Sequence, residues 1–273
     1  LIDNNTPYNS DVQPHVIKYD INSRNLINNN NNNNNNFSIS KRYSSNSYDP
    51  VKTLVAMPAY NEEMHIADII IGAKQFSDRV LVVDDGSTDS TASIAIGLGA
   101  IVACHENNKG YGGALRTIFS KARELGAEEL VILDSDGQHD YRDIQRLLGE
   151  LRKGSDVVIG SRFNGVKDKE IPLYRKIGMK VLDVATMLAG NGLEVTDSQS
   201  GFRAYGKRAI ESIDIDMNGM SAGSEILVKA SNHHLKVAEV PIRVRYDLDG
   251  TSSENPIKHG LEVLVNLSIL ASA

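Results

Sequence analysis

Residues 130–138 read Leu-Val-Ile-Leu-Asp-Ser-Asp-Gly-Gln, a short apolar run followed at once by two carboxylates and an amide. Four other Val- and Ile-rich runs, at residues 53–57, 80–83, 101–104 and 157–159, are separated from it and from each other by helix-length segments. Near-continuous apolar strands alternating with helices are typical of βαβ units whose sheet is buried on both faces. The sequence therefore predicts an α/β fold with a mostly parallel sheet flanked by helices.

Polar residues follow each of these runs. The first leads into Pro58-Ala-Tyr-Asn-Glu62, the second into Asp84-Asp-Gly-Ser-Thr-Asp89, the third into residues 107–113 and the fifth into Gly160-Ser-Arg162. Ligands of parallel sheets bind at the carboxyl ends of the strands, where these segments should meet. Ser87 and Asp89 also suit helix capping. Lys109 could face a phosphate where Gly110 lets the backbone approach closely, although an ordinary turn opening a helix fits nearly as well.

The pair Asp134 and Asp136 is not explained by capping, because one cap needs one side chain. Two neighbouring carboxylates repel each other unless a divalent cation neutralises them. Mg²⁺ and Mn²⁺ prefer oxygen ligands and often complete their coordination with substrate phosphates. Gln138 adds a neutral carbonyl oxygen. The two aspartates and Gln138 therefore predict a site for Mg²⁺ or Mn²⁺. His139 could be a further ligand, but a helix cap or a solvent-facing side chain is favoured, because both ions prefer oxygen.

Composition limits the function classes. The chain has 273 residues, a net charge of −6 and one cysteine, Cys104. An acidic balance argues against bulk electrostatic attraction to nucleic acid or to an anionic membrane, which a local basic patch could override. A single cysteine fits a reducing compartment. Neither a secretory signal nor an apolar run long enough to span a bilayer is evident.

Three regions are expected along the chain. Residues 1–48 contain nine consecutive asparagines at 28–36 and predict a disordered Asn-rich tail, because such a tract buries too little apolar surface to offset its ordering entropy. Residues 49–250 are expected to form one α/β domain that carries the predicted site. Residues 251–273 predict a C-terminal amphipathic helix that can lead into further sequence.

Seven motifs in this order resemble family 2 glycosyltransferases of the GT-A fold, in the dolichyl-phosphate mannose or glucose synthase branch. The resemblance covers about residues 51–247. The motifs are Pro58-Ala-Tyr-Asn-Glu62, Val83-Asp-Asp-Gly-Ser-Thr-Asp89, Asn108-Lys-Gly110, Asp134-Ser-Asp-Gly-Gln138, Gly160-Ser-Arg-Phe163, Asp197-Ser-Gln-Ser-Gly-Phe-Arg-Ala-Tyr205 and Glu239-Val-Pro-Ile242.

The resemblance implies roles for individual residues. The set expected to bind the nucleotide sugar, with four positions added to those that the resemblance implies, is Pro58, Tyr60, Glu62, Val83, Asp84, Asp85, Lys109, Gly110, Asp134, Ser135 and Asp136. The resemblance also implies Asp136 and Gln138 as the metal ligands, and Asp136 and Arg162 are expected at the catalytic centre. Arg162, Arg175, Arg203 and Arg245 are expected to bind the acceptor phosphate. Where mannose synthases of this branch carry an Arg and then a Lys, this chain has Asp247 and no lysine before Lys258.

The expected reaction is inverting transfer of a hexosyl unit from a nucleotide diphosphate sugar, such as GDP-mannose or UDP-glucose, to a polyprenyl or dolichyl phosphate. Transfer to a saccharide hydroxyl is an alternative within the fold and would need a base, for which Asp197 is the candidate. A sugar-phosphate nucleotidyltransferase and a non-catalytic nucleotide-sugar-binding module are further alternatives. The first would carry a Gly-rich signature near the first strand, where this chain has Pro58.

The segment between Arg162 and Lys180 carries six basic and two acidic residues. Leu173, Ile177, Val181, Val184 and Leu188 follow at helical spacing. This pattern fits equally a core-facing helix with a solvated polar face and a basic amphipathic helix docked on a membrane surface. With the lipid acceptor implied above, it predicts a cytoplasmic protein held peripherally at the cytoplasmic face of a membrane.

Overall fold

The structure is a computed structural model that describes residues 16–19, 51–163, 173–190, 192–245 and 263–266. The side chains of residues 16–19, 173–179 and 189 lie outside the description. The predicted disorder of the asparagine tract and most of the predicted C-terminal helix also fall outside it, apart from a helical turn at residues 263–266.

All five predicted strands are present within one or two residues of their expected ends. The eight strands of the described chain are β1 (Val16–Tyr19), β2 (Thr53–Ala59), β3 (Arg79–Asp84), β4 (Ile101–His105), β5 (Glu129–Ile132), β6 (Val157–Ser161), β7 (Arg203–Gly206) and β8 (Val237–Pro241). They form one sheet in the order β1-β4-β3-β2-β5-β7-β6-β8. β7 runs antiparallel to both of its neighbours, and the other pairs are parallel.

The strand β1 corrects one expectation. Val16–Tyr19 lies within the segment predicted to be disordered, yet it pairs in parallel with β4 at the edge of the sheet. The sequence Val-Ile-Lys-Tyr is rich in β-branched and aromatic residues, and β4 would otherwise leave unpaired backbone groups at the edge. These four residues are therefore an edge strand that composition alone did not reveal.

Helices cover both faces of the sheet. Their bounds are α1 (Ile66–Ala73), α2 (Thr91–Gly97), α3 (Gly110–Glu124), α4 (Ile144–Leu151), α5 (Leu173–Ala189), α6 (Lys207–Ser212) and α7 (Ala222–Asn232), with a 3₁₀ turn at Tyr141–Asp143. One core packs Phe119 and Ile226 against one face, and the other packs Ile70 and Leu147 against the opposite face. Burial from both sides explains the near-continuous apolar strands.

Strand register brings the predicted site together. Ala59 pairs with Asp84, and Asp84 pairs with Cys104, so β2, β3 and β4 end level with one another. β5 lies parallel on the other side of β2. The segments that follow these four strands therefore lie at one edge. Within the described residues, no helix is long and apolar enough to cross a bilayer.

Candidate active site at the carboxyl ends of the strands

Three carboxylates from two loops form the acidic centre of this edge. Burial raises the pKa of Glu62 to about 7, with the charges of Asp136 and Asp134 adding to the effect. Burial likewise raises the pKa of Asp134 to about 6. The pKa of Asp136 is raised by burial and then by Asp134. The charge of Asp134 thus raises the pKa of both other carboxylates, and a divalent cation stabilises carboxylates held this close together.

The loop after β5 is fixed by its own hydrogen bonds. The Ser135 hydroxyl donates to the carbonyl of Pro58 at 2.7 Å, which ties the loop to the end of β2. Ser135 is buried, and its hydroxyl hydrogen is bound to the protein rather than available to a ligand. The backbone N–H of Gln138 donates to Oδ1 of Asp136 at 2.9 Å. This bond holds the Asp136 carboxylate against the main chain of Gln138.

Gly201 makes room for Asp134. A Cβ at position 201 would lie 2.6 Å from both carboxylate oxygens of Asp134, closer than van der Waals contact permits. The sequence contains Gly201 within the motif that begins at Asp197, but spacing alone gave no sign of this contact. Any side chain at position 201 would displace Asp134 from the acidic centre.

His139 lies inside the protein, so the expectation of a cap or a solvent-facing side chain is wrong. Its Nδ1 is buried, has no hydrogen-bond partner among the described residues and lies 3.6 Å from Oδ2 of Asp134. Burial lowers the pKa of His139 to about 4, which keeps the ring neutral at physiological pH. The ring packs beside Phe202. The unpaired, neutral Nδ1 of His139 therefore places a nitrogen ligand atom beside the oxygen ligand atoms of Asp134.

The ligand atoms at the acidic centre suit a divalent cation that is bound jointly by the protein and by a substrate. Within the described residues, no group of three or more His, Cys, Asp or Glu side chains is already arranged to hold a metal. Asp136 and Gln138, with Asp134 and His139 close by, supply oxygen donors and one unpaired nitrogen. Mg²⁺ is commonly held by one or two carboxylates together with substrate phosphates, and this site fits that mode.

Two loops are joined beside the acidic centre. The backbone N–H of Asn61 donates to the Ser87 hydroxyl at 2.9 Å, and Oδ1 of Asn61 accepts from the backbone N–H of Thr88. Asp89 accepts from the N–H of Thr91 in the first turn of α2, although the cap position of this helix belongs to Ser90. Tyr60 is half exposed beside this junction and available to a ligand.

Asp85 is held in one orientation by a residue that sequence reasoning missed. Its Oδ1 accepts from His105 Nδ1 at 2.5 Å and from the backbone N–H of Lys109 at 2.9 Å. His105 ends β4, is buried, and its Nε2 lies 2.9 Å from the Thr117 hydroxyl. The neighbouring Asp84 is buried, and burial raises its pKa.

Val83 departs from its implied role. It has no exposed surface and packs in the core, which contradicts its predicted place in the lining of the nucleotide pocket. Both faces of β3 are covered, so the side chain of Val83 is buried whichever face it occupies.

Gly110 is needed for a close approach, but the approaching group belongs to the protein. It has a positive φ of 77°, and a Cβ there would lie 2.7 Å from the carbonyl oxygen of Asn218. The N–H of Gly112 donates to that oxygen at 2.7 Å. Glu225 holds the same segment by accepting from the N–H groups of Asp216 and Met217. The start of α3 is therefore docked against residues 216–218.

Arg162 is locked by Asp197. Its backbone N–H, Nε and Nη2 donate to the Asp197 carboxylate at 2.9, 2.8 and 2.6 Å. Glu239 accepts from the backbone N–H groups of Thr196 and Asp197, which fixes the carboxylate in turn. Asp197 is fully buried, whereas Arg162 keeps about a fifth of its side chain exposed. The guanidinium is thus presented at a defined position.

The predicted contact of Arg203 with the acceptor phosphate is contradicted. Arg203 is 2% exposed, and its guanidinium donates to the backbone carbonyls of Ser198, Ser200 and Gly223. These bonds organise the loop that precedes β7. Side chains alternate along a strand, so Arg203 shares the face of β7 that buries Tyr205, a placement that the motif alone does not reveal.

The other predicted phosphate-binding arginines are placed differently. Arg245 is exposed, and its backbone N–H donates to the carbonyl of Gln138 at 2.9 Å. This bond and the bridge between His139 and Val244 bring Arg245 to the loop of the acidic centre. Arg175 lies in α5 with its side chain outside the described residues, and Asp247 is also outside them.

Residues 54–213 match the family model described as Glycosyl transferase family 2. The UDP-N-acetylglucosamine–dolichyl-phosphate N-acetylglucosaminyltransferase of Methanococcus voltae is 35% identical over 78% of this chain and 91% of its own. The polyprenol monophosphomannose synthase of Mycolicibacterium smegmatis is 32% identical over 70% of this chain and 76% of its own.

The fold also matches a solved structure. Glucosyl-3-phosphoglycerate synthase from Mycobacterium tuberculosis, in complex with Mn²⁺, UDP and phosphoglyceric acid, aligns with a TM-score of 0.63 at 21% identity. The alignment covers 81% of this chain and 78% of that one, which confirms the GT-A fold. With the matching family model and the acidic edge that its motifs build, the chain is a glycosyltransferase and belongs to glycosyl transferase family 2.

Proposed function

We propose that this enzyme transfers a hexosyl unit from a nucleotide diphosphate sugar to the phosphate of a polyprenyl lipid of the dolichyl type. The observation that carries the acceptor class is the pairing of Arg162 with Asp197. A saccharide hydroxyl has a high pKa and needs a base, and the candidate base Asp197 is buried and bound to Arg162. A phosphate monoester is mostly dianionic at pH 7 and needs positive charge instead.

The donor is proposed to bind across the loops after β2, β3 and β5. Tyr60, Asp85 and Lys109 lie toward the nucleotide, and Asp134 and Asp136 lie toward the sugar diphosphate. Asp136 and Gln138 would hold Mg²⁺ or Mn²⁺, which supplies charge compensation for the leaving nucleoside diphosphate. Arg162 and Arg245, with Arg175 on α5, are proposed to orient the acceptor phosphate. Names of two relatives that act on dolichyl-phosphate or polyprenol substrates support this assignment.

A lipid-facing surface is proposed on α5. Val181, Val184 and Leu188 are 47%, 51% and 72% exposed, while Leu182 and Thr186 between them are buried. These three apolar side chains therefore face away from the cluster in which Leu182 packs, which supports a docking surface on this side of α5. Lys180 is exposed at the start of the stripe. An apolar stripe beside a cation suits the interface between acyl chains and anionic headgroups. We propose that the enzyme docks peripherally on a cytoplasmic membrane surface through this stripe.

The test of the donor half is transfer from a panel of radiolabelled UDP- and GDP-sugars to a polyprenyl phosphate, with and without Mn²⁺. We expect metal-dependent product with the wild type and none with Asp136→Asn. An Asp136→Asn enzyme with unchanged Mn²⁺-dependent turnover would refute the proposed metal site.

A further inference from the structure

The described part of α5 buries two polar residues and exposes three apolar ones, the reverse of the usual distribution on a helix at a protein surface. Asp183, which is 5% exposed, and the fully buried Thr186 lie three residues apart on the inner side. The apolar stripe of Val181, Val184 and Leu188 faces outward. The partners of the two buried polar side chains therefore indicate what α5 holds in place.

Asp183 holds the main chain directly beside Asp197. Its Oδ1 accepts from the backbone N–H of Ser198 at 2.8 Å, and both residues are buried. The carbonyl of Ser198 accepts from Nη2 of the buried Arg203 at 2.7 Å. Ser198 is therefore fixed through both of its backbone groups, by α5 and by β7. Because Ser198 follows Asp197 in the chain, these bonds also fix the carboxylate that orients Arg162.

The other buried polar residue of α5 is linked to this loop only through side chains among the described contacts. The Thr186 hydroxyl donates to the Ser224 hydroxyl at 3.3 Å. Ser224 also accepts from the side-chain amide of Gln199 at 2.9 Å, and that amide donates to the Ser198 hydroxyl. Loss of the Thr186 hydroxyl would leave both bonds of Gln199 in place. The main chain beside Asp197 is thus held from α5 by Asp183.

The carboxylate of Asp183 is costly to bury. Its Oδ2 is buried and has no hydrogen-bond partner among the described residues. Burial raises the pKa of Asp183, and the neighbouring charge of Asp197 raises it further. Buried polar atoms without partners destabilise a fold, and proteins keep them chiefly where function requires them. The bond that Asp183 makes beside the Arg162–Asp197 pair supplies such a requirement.

We propose that Asp183 is a positioning residue for the transfer reaction, which ties α5 to the loop of Asp197 and thereby sets the place of the Arg162 guanidinium. Asp183 does not touch the acceptor. Its effect reaches the acceptor phosphate through Ser198, Asp197 and Arg162. The inference rests on the proposed function, since Arg162 is proposed there to orient that phosphate.

The test is steady-state transfer by the full chain with Mn²⁺, a nucleotide sugar that the wild type uses, and polyprenyl phosphate in anionic vesicles. Asp183→Leu removes the acceptor for the Ser198 N–H and should lower kcat/KM for the polyprenyl phosphate by about 10- to 100-fold, since small misplacements of a positioning group cost this much. The KM for the nucleotide sugar and sedimentation with the vesicles should stay near their wild-type values, because the donor loops and the apolar stripe are unchanged.

Two further variants and a double variant separate positioning from folding. Asp183→Asn keeps an acceptor for the Ser198 N–H and should lose less activity than Asp183→Leu. Thr186→Val is the matched control on the same side of α5 and should transfer like the wild type. When Arg162 is already Ala, Asp183→Leu should lower the rate little further, because the two residues act through one group. Asp183→Ala takes the place of Asp183→Leu if that variant does not fold.

Wild-type acceptor kinetics in folded Asp183→Leu would overturn the inference and leave the proposed function in place. Equal losses in Asp183→Asn and Asp183→Leu would overturn the role of the hydrogen bond to Ser198. A comparable loss in Thr186→Val, or a rise in the donor KM as large as that in the acceptor KM, would also overturn it, since either would show a general disturbance around α5. If the wild type transferred no sugar to polyprenyl phosphate, the proposed function would fail and the inference with it.

Discussion

Asp197 accepts three hydrogen bonds from Arg162, one from its backbone N–H and two from its guanidinium. The acidic partner is fully buried and the basic partner is partly exposed, so the pair presents positive charge at the site and conceals the negative charge. In this arrangement Asp197 positions Arg162 and is poorly placed to remove a proton from an acceptor.

The first prediction concerns this pair. Arg162→Ala should lower kcat/KM by about 100-fold or more, the usual loss when a group that stabilises developing charge is removed. Asp197→Asn should lower it as well, because Arg162 loses its anchor. When Arg162 is already Ala, Asp197→Asn should lower kcat/KM little further, since the effects of two residues that act as a unit are not additive.

Steady-state rates of the two single variants and the double variant check the pair, with melting temperatures as a control for folding. A base would behave differently: Asp197→Asn would then remove the acidic limb of the pH–rate profile and would multiply the loss caused by Arg162→Ala.

The second prediction concerns Glu62 and pH. Its pKa is raised to about 7 in the folded state from an ordinary 4.5, so the folded protein binds a proton between these values that the unfolded chain has released. Stability contributed by this group therefore falls as pH rises from about 4.5 through about 7. Without metal, Glu62→Gln should raise the melting temperature at pH 8 and change it little at pH 5.

Titration of two neighbouring residues also changes the stability of the protein with pH, and the comparison must account for them. Asp134, with its pKa raised to about 6, shifts stability in the same direction as Glu62. His139, with its pKa lowered to about 4, shifts it in the opposite direction below pH 6.5. Comparison of wild type with Glu62→Gln cancels both contributions. Equal gains in melting temperature at pH 5 and pH 8 would show that Glu62 titrates normally.

The third prediction concerns Gly201. Gly201→Ala should displace Asp134 and raise the KM for the nucleotide sugar and the Mn²⁺ concentration needed for activity. Gly149→Ala is the matched control, because a Cβ at that position in α4 meets nothing within 4 Å. The control should be active and more stable by about 0.5–1 kcal/mol, the helical preference for Ala over Gly. Equal donor KM values for the two variants would contradict the proposed contact.

The fourth prediction concerns the stripe on α5. Replacing Val184 and Leu188 with Ser should weaken sedimentation with anionic vesicles several-fold, because apolar surface leaves the lipid contact. Ile71→Ser is the control, since Ile71 is 52% exposed on α1, outside the stripe. Equal loss of vesicle binding in both proteins would remove α5 as the docking surface.

Sequence predicted the parallel half of the sheet and its acidic edge because those features are local. Each apolar run and the carboxylates after it are contiguous, so the end of β5 places Asp134 and Asp136 without tertiary information. The antiparallel strand β7 and the edge strand β1 depend on distant pairing partners. The inward turn of Arg203, the burial of His139 and the contact between Gly201 and Asp134 likewise depend on chain segments that meet only after folding.

His105 illustrates the same limit. It is one residue at the end of a predicted strand, and its relation to Asp85 spans 20 positions of sequence. The register of β3 and β4 brings the two side chains together, and no spacing rule predicts that meeting. The Asp-x-Asp loop could be predicted because Asp134 and Asp136 are close in sequence, whereas Asp85 is held by His105 from another strand.

Whether the acceptor is a phosphate is tested by measuring kcat/KM under identical assay conditions for three acceptors. These are a polyprenyl phosphate, the corresponding polyprenol and a soluble saccharide. The phosphate-acceptor mechanism predicts product with the polyprenyl phosphate, at least about 100-fold less with the polyprenol, and loss of the phosphate-dependent product in Arg162→Ala. Comparable turnover with the polyprenol or the saccharide would contradict it, because an acceptor hydroxyl would then be reacting without the dianion that Arg162 is positioned to bind.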